Sequence, residues 1–379
     1  MLNLKVSPTV YLATLSDNAP STPSLLVDLT ALETDFQEFR SAFPTERICY
    51  AVKANPHPAV LRRLADLGCD FEISSLGELC LLQELSISGQ RIISSNPVKA
   101  PAFIAAAYAH GLRHFAFDSE AEIEKLAELA PRSELALRLT VPNTGSEWPL
   151  DKKFGVEGRQ ALELMLTAHS RGLEPTIVTF HVGSQCIDEE AWMIALEKVA
   201  GLWAEAKNLG LPLRIINIGG GMPVAYTDPD VPTLPMVAQV VRSARDRLSL
   251  GAAEVWLEPG RGVVGRSGVL LCAVLGVAER NGTRWVYLDA GIFHGLTEAM
   301  GGIAYRLVSD APGPETPCTL AGPSCDSVDV IANDVPLPQV RVGDRVAILS
   351  AGAYTTAYAS SFNGFPGPQV VILGATDHG

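Results

Sequence analysis

At 379 residues the chain is long for one domain and comfortable for two, and its 47% apolar residues are ample for a core in each. A formal net charge of −13 opposes binding to nucleic-acid backbones and anionic membranes, and it mildly favours the approach of a small cation. Seven cysteines, an odd number with no Cys-x-x-Cys pair, fit free thiols in a reducing compartment rather than disulfides or a zinc site.

Met1 to Pro20 lacks the basic start, apolar stretch and small-residue cleavage site of a signal peptide, so a cytoplasmic location is expected. Val6 to Leu15 lies outside the rhythm that follows and is expected to add a strand to a later β-domain. From residue 47 to residue 260, short β-branched or aromatic runs alternate with segments of helical periodicity, the pattern of repeated βα units. The predicted strands are Arg47 to Lys53, Phe71 to Ser75, Arg91 to Ser95, His114 to Asp118, Leu135 to Thr140, Thr176 to Val182, Arg214 to Ile218 and Glu254 to Glu258. Helical patterns such as Pro58 to Leu67, Ser119 to Leu129 and Glu189 to Leu209 separate them. Eight such units suggest a closed (β/α)8 barrel over residues 25–262. After residue 265, strands such as Val269 to Ala278, Trp285 to Leu288 and Arg345 to Leu349 are divided by Pro and Gly turns. Residues 263–379, with 1–24, should form a separate β-domain. The longest apolar stretch, Val269 to Ala278, is too short to cross a hydrocarbon core of about 30 Å as a helix.

The strand ends carry polar residues: Lys53, Ser74, Ser95, Asp118, Arg138, His181, Gly219 and Glu258. Loops begin there in any case, but barrel enzymes place their chemistry on this C-terminal face. Lys53 closes Tyr50-Ala-Val-Lys-Ala-Asn55, where burial would lower an ammonium pKa and make a Schiff-base amine; the alternative is a lysine that reaches out to solvent. His181-Val-Gly-Ser184 offers an imidazole to stack on a ring and a hydroxyl for a phosphate, or simply a satisfied core histidine. Gly219-Gly220-Gly221 lets backbone N–H groups approach an anion, without the spacing of a dinucleotide fingerprint. Glu258-Pro-Gly-Arg261 sets a carboxylate and a guanidinium at the eighth strand end, suited to a pyridinium nitrogen and a phosphate, or to an ordinary surface ion pair. Cys325-Asp326-Ser-Val-Asp329 puts a thiol beside two carboxylates after a Gly-Pro turn.

Together these segments, with Gly352-Ala-Tyr354, resemble the family of pyridoxal-5′-phosphate (PLP) decarboxylases that act on ornithine and diaminopimelate, over nearly the whole chain and in the family order. The resemblance implies an alanine-racemase-like fold, in which a PLP-binding barrel joins a mostly antiparallel β-domain. It implies that Lys53 carries the cofactor, His181 covers its ring, and Glu258 pairs with its pyridinium nitrogen. Glu72 and Arg138 join the cofactor site, and Ser184, Gly220, Gly221, Arg261 and Tyr354 hold the phosphate. It also implies a homodimer with shared sites, in which Cys325 and Asp326 reach in from the partner and Lys153 with Asp329 bridges subunits.

Diaminopimelate decarboxylases typically have Glu where this chain has Asp326, whereas Asp326 with Asp289 suits a distal ammonium. Ser361-Phe-Asn-Gly-Phe365 also resembles ornithine decarboxylase, so a basic amino acid, first ornithine and then lysine, is the expected substrate. Two departures stand out: Glu72 replaces the family's usual Asp, and Ala290 follows Asp289 where Asp-Gly is usual. A racemase of similar fold would have arginine in the role of Glu258, a PLP-carrier protein would lack the second domain, and non-catalytic relatives tend to lose the residues kept here.

Overall fold

The computed structural model describes residues 20–374. Its strands are β1 (Ser24–Asp28), β2 (Arg47–Ala51), β3 (Asp70–Glu72), β4 (Ile92–Ile93), β5 (His114–Phe117), β6 (Glu134–Arg138), β7 (Ser146–Trp148), β8 (Glu174–Thr179), β9 (Ser184–Cys186), β10 (Ile215–Asn217) and β11 (Glu254–Leu257). They are followed by β12 (Gly268–Arg280), β13 (Thr283–Leu288), β14 (Leu307–Val308), β15 (Thr316–Ala321), β16 (Val330–Leu337), β17 (Arg345–Ile348) and β18 (Gln369–Leu373).

The eight strands predicted for the barrel form one sheet in the order β4-β3-β2-β11-β10-β8-β6-β5, with parallel neighbours throughout. A parallel bridge between Ser94 and Phe115, with Ser94 N–H donating to His114 O at 3.0 Å, joins β4 to β5 and closes the ring. The strands are short because each is buried on both faces, and the helices Pro58–Asp66, Glu120–Leu129 and Glu190–Asn208 fall within a residue of their predicted limits. Inside, Cys49, Ile93, Ala116, Ala136, Ile177, Ile215 and Trp256 pack as one cluster, all at most 5% exposed, so the barrel is filled.

The second sheet runs β14-β17-β12-β13-β15-β16, with β1 pairing β12 antiparallel and β18 parallel. Its neighbours are antiparallel except at β1 with β18 and β13 with β15. Val269 to Ala278 is a strand, as expected, and Leu26, Val269, Leu271, Ala347 and Leu349 form its core. The chain divides into a unit that runs to Phe36 and includes Val224–Asp230 and everything from Arg261, and a unit made of Gln37–Pro223 and Val231–Gly260. Residues 25–36, placed with the barrel by the 25–262 division, therefore lie with the sheet, because β1 is hydrogen-bonded between β12 and β18. The predicted strand Val6 to Leu15 lies outside the described residues. Among the described residues no helix is long and apolar enough to cross a membrane. All seven cysteines are free thiols, with Cys80 and Cys325 exposed.

Candidate active site

The barrel unit gathers most of the predicted residues at the C-terminal ends of its strands. Lys53 follows β2 in a single 3-10 turn, Val52–Ala54. Burial of its ammonium was expected; instead its side chain is 52% exposed and pairs at 3.0 Å with Glu72, which is 1% exposed. The strand ends before the lysine, so the long methylene arm carries the charge to the mouth while the carboxylate stays inside. Glu72, the last residue of β3, also accepts from Ser74 Oγ at 3.3 Å and from Ser95 N–H at 3.4 Å.

Glu258 follows β11 and is 7% exposed. Ser95 Oγ and Asn217 Nδ2 both donate to its Oε1, and its own N–H donates to Gly219 O at 2.8 Å. Burial, then the neighbouring Glu72 charge, raise its carboxyl pKa above the ordinary range. His181 Nδ1 accepts from Gly183 N–H at 3.0 Å, which leaves the proton of the neutral ring on Nε2. Burial, Arg138 and Lys53 push its pKa well below 6.5, so the imidazole is uncharged at neutral pH. Arg138 ends β6, and burial pulls its guanidinium pKa down while Glu258, Asp118 and Glu72 oppose the shift.

The glycine run after β10 is a cradle that side chains would fill. Gly219 and Gly221 have φ of 67° and 98°, and a Cβ at Gly219 would strike the carbonyl oxygen of Phe180. At Gly220 it would lie 2.6 Å from Glu258 O and 3.3 Å from His181 Nε2, and at Gly221 2.6 Å from Gly183 O. Bare backbone therefore sits beside the imidazole. Ser184 starts β9, pairing with Trp148 of β7, and Cys186 N–H donates to Gly221 O at 2.9 Å, which ties this ladder to the cradle. We expect Gly220→Ala to lower unfolding stability by about 1–3 kcal/mol through the clash with rigid backbone and to weaken PLP binding. Thermal melts and PLP titration check this, with Gly201→Ala as control, because a Cβ at Gly201 meets nothing within 4 Å.

The remaining predicted residues belong to the other unit. Arg261 is 3% exposed and bidentate to Glu298, with Nη1 also donating to Tyr226 OH at 2.7 Å. Against the pull of burial, Tyr226 and Glu298 hold its pKa high, so it is a fixed positive charge. Its guanidinium lies 5.1 Å from the centre of the Tyr354 ring, and Tyr354 has φ of 64°. Cys325 and Asp326 sit exposed on a loop after β15, where Cys325 N–H donates to Asn363 Oδ1 at 3.0 Å and Asp326 Oδ1 accepts from Val328 N–H at 2.9 Å.

Asp289 Oδ1 accepts from Ala273 N–H at 2.9 Å while its own N–H donates to Ala273 O at 3.1 Å, which ties its carboxylate to the β12–β13 ladder. Asp329 is 2% exposed and takes Ile292 N–H at 2.7 Å and Ser324 N–H at 2.9 Å within its own chain. It thereby anchors the Cys325 loop. Lys153 is exposed on the barrel unit, with its ammonium 4.9 Å from the Phe154 ring centre. Site residues not foreseen are Asn217, Tyr226, Glu298 and Asn363; of these Asn217 carried a signal as the polar end of a buried strand next to the glycines, and Asn363 lay in the Ser361–Phe365 motif.

A filled barrel with a lysine, a raised-pKa carboxylate, a neutral imidazole and a glycine cradle at its mouth fits PLP: an amine for the aldehyde, an acid partner for the pyridine nitrogen, a flat ring for its face and bare backbone for its phosphate. Comparison with known proteins gives the same class. Residues 29–265 match the family model described as pyridoxal-dependent decarboxylase, pyridoxal binding domain. The chain is 36% identical over 353 residues to the lysine/ornithine decarboxylase of Selenomonas ruminantium, covering 93% of this chain and 89% of that one. It is 31% identical over 373 residues to the diaminopimelate decarboxylase of Helicobacter pylori, covering 94% and 91%. The crystal structure of the Vibrio vulnificus lysine/ornithine decarboxylase complexed with cadaverine superposes with a TM-score of 0.87 at 32% identity, covering 97% and 98%, and that enzyme has also been crystallised with putrescine. The chain belongs to the PLP-dependent decarboxylase family.

Proposed function

We propose that this protein decarboxylates a basic amino acid with PLP, taking L-ornithine to putrescine first and L-lysine as well. The observation that carries the substrate reading is Asp326, a carboxylate on the exposed Cys325 loop whose Oδ1 is fixed by Val328 N–H. A distal ammonium forms charge-assisted hydrogen bonds there, whereas the second carboxylate of diaminopimelate is repelled. The cadaverine and putrescine complexes of the Vibrio vulnificus relative support the same choice of substrate end.

PLP, when bound, supplies a pyridine ring that accepts the electrons of the bond to the departing carboxylate. The residues of this chain set the conditions for that. Lys53 would supply the amine that holds the cofactor's aldehyde until the substrate amine takes its place. Glu258, fixed by Ser95 and Asn217, shares a proton with the pyridine nitrogen, and its raised pKa brings it nearer to that of the ring. Neutral His181 would cover the ring without repelling its positive charge. Gly220, Gly221, Ser184, Arg261 and Tyr354 would hold the phosphate, and Cys325 Sγ would be the proton donor to the substrate carbon.

The Cys325 loop and Lys53 lie in different units, and in this reading the loop completes the site of a partner in a homodimer. Mixing inactive Lys53→Ala and Cys325→Ala chains should restore activity at about a quarter of sites after random re-pairing. No recovery despite verified exchange would place both groups of one site in one chain. The substrate reading is tested by kcat/KM for ornithine, lysine, arginine and meso-diaminopimelate. One methylene is worth only about 1–3 kcal/mol, so activity on both ornithine and lysine is expected, and a preference for diaminopimelate would overturn the assignment.

A further inference from the structure

One buried cation takes no part in the chemistry above. Lys99 follows Ser95-Asn-Pro-Val and its ammonium is fully buried. It donates to Asn96 O at 2.9 Å, to Pro97 O at 3.4 Å and to Ala116 O of β5 at 2.5 Å, and its Nζ lies 2.8 Å from Glu122 Oε1. Glu122 is 2% exposed and sits on the helix Glu120–Leu129. Its other oxygen meets Lys125 at 2.5 Å, and Lys125 Nζ donates to Lys99 O at 2.6 Å. Two lysines and one glutamate thus clamp both the side chain and the main chain of residue 99, and Lys99 binds the carbonyls of the two residues that follow Ser95. A loop could be tied down with less: a buried charge is costly unless paired, and here it is paired on every side.

What this loop presents is Ser95. Its hydroxyl donates to Glu258 and its N–H to Glu72, so one residue bonds both carboxylates of the barrel mouth. The loop starts from a strand of only two residues, Ile92–Ile93, which leaves little ladder to fix its exit. We infer that Lys99 is a positioning residue that, through the loop it folds, holds Ser95 against Glu258. Loss of the Ser95 bond would leave the buried carboxylate oxygen with fewer donors and make Glu258 a poorer partner for a protonated pyridine.

This inference rests on the pairing of Glu258 with the pyridine nitrogen, and the test separates the two. Apoenzyme is titrated with PLP by near-visible absorbance for the parent, Glu258→Gln, Ser95→Ala, Lys99→Met and the Ser95→Ala/Lys99→Met double variant. Ser95→Ala and Lys99→Met are each expected to weaken PLP binding about tenfold, with the double variant no weaker than the worse single, since residues acting through one contact are not additive. Losses that multiply in the double variant would overturn the inference, because Lys99 would then act independently of Ser95. Parent-like affinity and spectrum in Glu258→Gln would instead overturn the reading of Glu258. If Lys99→Met does not fold, Lys125→Met, which removes the clamp from the partly exposed side, is put through the same cycle with the same two outcomes.

Discussion

Lys53→Ala is expected to abolish turnover, together with the near-visible absorbance of the PLP-bound protein and the borohydride fixation of PLP to the chain. The lysine amine stands 3.0 Å from the buried Glu72 carboxylate, in the turn that follows β2 at the barrel mouth. Alanine keeps the turn and removes the amine, so folding should survive while cofactor attachment does not. Loss of a positioned proton-transfer group alone costs about 10²–10⁴-fold, and loss of the attachment point adds to it. A variant that keeps the absorbance and is fixed by borohydride like the parent would show that another lysine is the anchor.

Asp326→Ala should lower kcat/KM for ornithine and lysine by about 10²–10³-fold. Truncating one partner of a desolvated charge pair costs about 2–5 kcal/mol, and the substrate ammonium would be left without its counter-charge. Asp326→Asn should recover part of the loss, since a neutral acceptor can still take one N–H bond. Asp289→Ala, in contrast, should act on stability more than on kcat/KM, because that carboxylate is bonded to Ala273 in the β12–β13 ladder. Melting curves and steady-state kinetics on the same variants distinguish these outcomes, and a substrate-specific defect in Asp289→Ala with an unchanged melt would place that residue beside Asp326 in substrate recognition.

The barrel was legible because each of its strands is a short apolar run between helical segments, a pattern that parallel strands buried on both faces produce directly. The polar residues that interrupt those runs at their ends, Lys53, His181 and Glu258 among them, mark the mouth, whereas Glu72 and Gly220 stand out through the family resemblance. Other features depend on long-range pairing and leave no local trace. The bond from Ala273 N–H to Asp289 Oδ1 joins residues 16 apart, and no local pattern announces it. Glu298 lies 37 residues from Arg261 in a segment without a motif, and only the fold shows that it grips the guanidinium. Asp329 fits a charged surface pair in sequence, yet its burial against Ile292 and Ser324 makes it an anchor of the Cys325 loop. The 52% exposure of the Lys53 side chain was hidden for a related reason: where the strand stops decides burial, and strand ends are poorly fixed by residue preference.

The most direct test is product analysis with carboxyl-labelled L-ornithine and L-lysine and the PLP-loaded protein, measuring released CO2 and diamine together. Equal amounts of CO2 and putrescine or cadaverine, with no release from the Lys53→Ala protein, are the predicted result. Release of CO2 from meso-diaminopimelate but from neither basic amino acid would contradict it.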